Sequence, residues 1–222
     1  MAKLSDLVLR SSEVTGAPVP TVREISRRLR EARLISTGKR GRYGGTDMAP
    51  EDAASLLTAL LIVRASAASI NNIALVTKSH LQDLICRGDD ARRSWDRQLA
   101  PPQLSRLKLG HTFGEAFSAL IASISNGDLE RSIKKWNTGK GGFEIKVRID
   151  KPTPHYGAYI EFRTDAFLQS ELYLRRKDKT IVSYPPRNWS AIRDFNNDLR
   201  VSATICEPTL KAVGVLLRSS DR

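Results

Sequence analysis

The sequence predicts an α+β fold, with a helical first two-thirds and a β-rich last third closed by a helix. Two observations carry this. Before the glycine-rich "NTGKGG" at 137–142, apolar residues recur at helical spacing; after it, they alternate with polar ones as in half-buried strands. The length of 222 residues and the hydrophobic share of 41% allow a packed core, in one large domain or two small ones.

The elements follow in order. Residues 3–36 read as helices broken by "TGAPVPT", where Gly16, Pro18 and Pro20 punctuate the chain. Thr21 is placed to cap the second helix, with Glu24 three residues later completing a capping box. "STGKRGRYGGTDMAP" is a loop or short hairpin, after which Thr46 or Asp47 caps a third helix. Pro50 falls in its first turn, and Glu51 and Asp52 complement its dipole. That helix, "EDAASLLTALLIVRAS", is apolar over a wide arc and belongs deep in the core. Further helices are expected over "NNIALVTKSHLQDLI" and "LGHTFGEAFSALIASISNG", the latter ended by Asn126 and Gly127, with a polar connection between them.

"FEIKVRID", "YGAYIEFRTD", "SELYLRR" and "DLRVSATI" read as strands, and "EPTLKAVGVLL" as the closing helix. Three regions result: 1–48, carrying the basic helix and loop; 49–140, a helical core; and 141–222, an α+β region suited to oligomerisation or to a protein partner.

The net charge of +12 is unevenly spread. Residues 1–50 contribute +5 and residues 51–100 nothing. Between Arg23 and Arg42 there are eight basic residues and two acids, Glu24 and Glu31. A basic surplus gathered in one segment points to a polyanion partner, most often nucleic acid. Within the second helix, Val22, Ile25, Leu29 and Ala32 fall on one face. Arg23, Arg27 and Arg30 fall together about 100° round from it. A helix, a tight turn and a second helix with an arginine stripe describe a helix-turn-helix.

"LSDLVLRSSEVTGAPVPTVREISRRLREARLI" resembles the helix-turn-helix and winged-helix DNA-binding proteins of bacteria and phages. Gly16 stands at the turn position, Val22 and Ile25 at apolar positions of the second helix, and "STGKRGRYGG" where a basic wing would follow. Ser11 stands where that family places an apolar residue, and two prolines lengthen the turn. The resemblance covers about a fifth of the chain. It implies that the helix near 21–34 enters the major groove of double-stranded DNA. Arg23 and Arg27 would then reach base edges, where arginine bonds guanine in pairs. Arg30, Lys39, Arg40 and Arg42 would contact phosphate. Thr21 would donate to phosphate or cap the helix, and Tyr43 would pack on a sugar.

A homodimer is expected, because one short recognition helix supplies little specificity. The functional expectation is a cytoplasmic, sequence-specific transcription regulator. Its rivals are a nucleic-acid-scaffolded packaging protein and an inhibitor that applies the basic helix to a protein.

Other chemistries find little support. Neither "GKRGRYGG" nor "NTGKGG" fits a phosphate-binding loop. His80, His111 and His155 lack neighbours at metal-ligand spacing, so no metal or cofactor is expected. No hydrolase or metalloprotease motif occurs, and the chain reads as a non-enzyme. Glu144, Asp150 and Glu161 are the carboxylates a nuclease would need, and they read as polar faces of strands. Cys86 and Cys206 give no disulfide framework and suit a reducing cytoplasm. The most apolar run is too short to span a bilayer.

Overall fold

Apolar residues three and four apart in the first half of the chain, and two apart in the second, build a helical layer laid over one antiparallel sheet. The computed structural model describes residues 2–37, 47–66, 70–86, 101–108, 110–136, 143–151, 157–164, 168–175 and 201–218. The helices are α1 (Leu4–Thr15), α2 (Val19–Glu31), α3 (Pro50–Ser66), α4 (Ile73–Asp83), α5 (Pro102–Ser105), α6 (Phe113–Ser125), α7 (Asp128–Trp136) and α8 (Glu207–Arg218). The strands are β1 (Leu84–Cys86), β2 (Phe143–Lys151), β3 (Gly157–Thr164), β4 (Leu168–Arg175) and β5 (Val201–Cys206). The α+β class is thereby met.

The sheet runs β1-β4-β3-β2-β5, with every neighbouring pair antiparallel. Side chains alternate across it. Ile145, Val147 and Ile149 on β2, Ala158, Ile160 and Phe162 on β3, and Ala203 and Ile205 on β5 are buried. Helices α3 and α8 pack against β2 and β5. Glu144, Lys146, Arg148, Tyr159 and Glu161 are only half-buried. Lys146 pairs with Glu144 at 2.9 Å and stands opposite Glu161 in register, while Asp150 faces Gly157 across the ladder. The Arg148 guanidinium lies 4.4 Å from the Tyr159 ring centroid.

The closing helix ties the ends of the chain together, because α8 packs on both α1 and α6. At Gly214 a Cβ would meet Ile124 Cγ2 at 2.4 Å, so only glycine permits that approach. Arg218 donates from Nε to the Ser125 carbonyl at 2.6 Å and from Nη2 to that of Ile124 at 2.7 Å, satisfying the open end of α6. One continuous cluster of buried apolar residues runs from Ala2 and Leu7 through Leu57 and Phe117 to Leu217.

Several local expectations are corrected. α2 begins at Val19, with Pro20 in its first turn, so Thr21 is inside the helix and caps nothing. Pro18 and Pro20 fix φ near helical values and start the helix early. The same T-x-x-E pattern does cap α6, where Glu115 N donates to Thr112 Oγ1 at 3.1 Å and Thr112 N donates to Glu115 Oε2 at 2.7 Å. Ala32, expected on the buried stripe, is exposed. Asp47 pairs with Lys3 at 2.9 Å, and α3 starts three residues beyond it. The end of the expected fourth helix forms β1. Thr46 lies outside the described residues.

Among the described residues no helix is long and apolar enough to cross a membrane.

Candidate nucleic-acid interface

The geometry of the basic segment starts with the turn before it. α1 ends at Gly16, whose φ of 70° places it in the left-handed region that glycine enters freely. Its N–H donates to the Ser12 carbonyl at 2.9 Å. Ser12 Oγ donates to the Ala17 carbonyl at 2.6 Å, and Thr15 Oγ1 to that of Ser11 at 2.6 Å. Ser11 is fully buried between the helices. Three residues therefore reverse the chain from α1 into α2.

On α2, Val22, Ile25, Ser26 and Leu29 are buried, while Arg23, Arg27 and Arg30 are exposed. The stripe offered to solvent is the one the periodicity predicts. Its arginines are not equivalent. Arg27 donates to both Glu24 oxygens, from Nε at 2.8 Å and from Nη2 at 2.6 Å, and its Nη1 reaches Glu31. Arg28 also donates to Glu24, at 2.8 Å, and continues to Asn71 Oδ1 at 3.0 Å, which ties α2 to the turn before α4. The Arg27 guanidinium, followed by that of Arg28, holds the Glu24 carboxyl at about 2, against an ordinary 4.5. Glu24 in turn raises Arg27 further. Arg23 and Arg30 have no acid partner among the described residues. They stand seven residues apart, about 10 Å along the axis.

The end of α2 adds a residue the sequence did not point to. Arg33 has φ 58°, the single non-glycine residue with positive φ among those described. Its N–H bonds the Arg30 carbonyl at 3.0 Å, and Leu34 N bonds that of Leu29 at 2.8 Å. This is a Schellman closure with arginine where glycine is usual. The left-handed conformation costs an L-residue roughly 1–2 kcal/mol. Arg33 is exposed and without an acid partner among the described residues.

Asp52 is the second such residue. It is buried, and its two oxygens accept from Ser36 N at 2.7 Å and Ala49 N at 2.8 Å. Met48 N donates to the Ala2 carbonyl at 2.9 Å. The chain on either side of the basic glycine loop is thus fixed to the start of α3 and to the N-terminal segment. Lys39, Arg40, Arg42 and Tyr43 lie outside the described residues.

Elsewhere the two described histidines are locally satisfied. His80 Nδ1 lies 2.8 Å from the Val76 carbonyl, and His111 Nδ1 lies 2.9 Å from that of Lys108. Burial pushes His111 below its ordinary value and favours the neutral ring. Among the described residues no group of three or more His, Cys, Asp or Glu could hold a metal ion. Cys86 is buried and Cys206 exposed, and neither forms a disulfide among the described residues.

The chain matches no protein-family model, no curated protein and no solved structure.

Proposed function

We propose that the chain is a sequence-specific double-stranded-DNA-binding protein of the transcription-regulator type, with α1 and α2 acting as a helix-turn-helix. One observation carries the reading. Helix α2 presents Arg23 and Arg30 on an exposed face with no acid partner among the described residues, while the stripe about 100° round from it is buried. A helix of α2's width fits the major groove, which is about 12 Å across.

Arg23, in the N-terminal half of α2, is assigned to a base edge. Arg30 and Arg33 are assigned to phosphate, which positions the protein without reading sequence. Arg27 enters on release from Glu24, so its base contact would carry the cost of that separation. Lys39, Arg40 and Arg42 supply further phosphate contacts from the basic segment that follows α2. Two copies would read two half-sites.

Selection from random duplexes tests this directly. A sequence-specific protein enriches one motif at moderate salt. A packaging protein shows steep salt dependence without enrichment. A protein-directed inhibitor retains no duplex near physiological salt.

A further inference from the structure

A cavity of about 240 Å³ lies between the α1–α2 turn, the last two turns of α3 and β5. Leu60, Val63 and Ile205 form apolar walls, and Thr21 and Arg64 bring polar groups to it. Arg64 is exposed and so stands at the rim. Neither of these two polar side chains has a hydrogen-bond or ion-pair partner among the described residues. An apolar space with a few convergent, uncommitted donors is the ordinary make-up of a small-ligand site. The volume falls below the roughly 300–1,000 Å³ of clefts for drug-sized ligands, which sets the occupant's size.

We infer that this cavity binds a small organic monocarboxylate with a compact apolar body. The guanidinium matches a carboxylate in charge and in its paired N–H geometry. The hydroxyl of Thr21 donates to the same oxygens or to a polar substituent. Leu60, Val63 and Ile205 take the hydrocarbon. A neutral amide of equal shape fills the walls but forfeits the charge-assisted bonds. The site stands independently of the DNA-binding reading, although its occupant touches α2 at Thr21.

The test uses the full chain without nucleic acid, titrated with benzoate and separately with benzamide, and followed by amide NMR. Benzoate is expected to shift Thr15 to Thr21, Leu60 to Arg64, and Thr204 and Ile205 saturably, with Kd at or below about 1 mM. Benzamide is expected to bind at least about tenfold more weakly. Arg64→Met should cost a similar factor and Arg64→Lys much less. Should Arg64→Met fail to fold, Thr21→Val replaces it, with a several-fold loss expected. Equal binding of acid and amide overturns the inference. So does an unchanged Kd in the folded variant tested, or no saturable shift up to about 10 mM benzoate.

Discussion

Glu24 grips Arg27 through two parallel hydrogen bonds, Nε to Oε2 at 2.8 Å and Nη2 to Oε1 at 2.6 Å. The most central arginine of the exposed stripe is therefore charge-compensated, while Arg23 and Arg30 have no acid partner among the described residues. Removing the carboxylate should loosen both Arg27 and Arg28, leaving Arg27 with Glu31 and Arg28 with Asn71. Glu24→Gln is expected to tighten duplex binding and to steepen its salt dependence by about one to two phosphate contacts. Affinity measured across a salt series checks this. An unchanged slope would mean that the ion pair does not restrain the interface.

The same pair sets an acid limit. Glu24 titrates at about 2 in the fold against an ordinary 4.5. A lowered carboxyl contributes stability that is complete above the unfolded value and is lost as pH falls through the folded one. The contribution of this cluster should therefore hold above pH 4.5 and decline between 4.5 and about 2. Carboxyl NMR of the protein should place the Glu24 midpoint near 2, and Arg27→Ala should raise it toward 4.5. A midpoint near 4.5 in the unsubstituted chain would show the pair to be absent in solution.

Arg33 separates stability from binding. Glycine at this position relieves the left-handed strain, so Arg33→Gly should stabilise the fold by about 1 kcal/mol. It should weaken duplex binding at the same time, by one phosphate contact on the salt slope. Denaturant unfolding and a salt titration together read both effects. Movement of the two in the same direction would remove Arg33 from the interface.

Asp52 holds the two sides of the loop together from within the core. Asp52→Ala removes the buried acceptor of the N–H groups of exposed Ser36 and half-buried Ala49. Hydrogen bonds to a charged group contribute about 1.5–3 kcal/mol, and urea unfolding should show a loss on that scale. A loss well below 1 kcal/mol would mean that water replaces the carboxylate at little expense.

What the sequence disclosed of this site follows the range of the forces involved. The stripe of α2 was legible because Val22, Ile25 and Leu29 repeat at the period of the helix, and the turn was legible because Gly16 is the residue a left-handed cap requires. The start of α2 was misread because two start signals compete there. Thr21 and Glu24 spell a capping box, but Pro18 and Pro20 nucleate the helix about one turn earlier and Glu24 turns to the arginines three and four residues on. At Thr112 and Glu115 no such competition exists and the box forms. The end of α2 carried no glycine to mark it, so Arg33 went unnoticed. Asp52 was read as a dipole partner, since its bond to Ser36 joins residues sixteen apart and leaves no local pattern. The four principal strands were legible from alternation, whereas their order and the three-residue β1 depend on pairings distant in sequence.

The central claim is that α2 reads DNA with Arg23 and grips it with Arg30. Binding-site selection on random duplexes, with the unsubstituted chain, Arg23→Ala and Arg30→Ala in parallel, tests it most directly. The unsubstituted chain should enrich one motif. Arg23→Ala should relax preference at one or two positions and cost about 1–3 kcal/mol on the selected site, while Arg30→Ala should weaken all sequences alike and reduce the salt slope by about one. No enrichment by the unsubstituted chain, or selection and affinity unaltered in both variants, would contradict it.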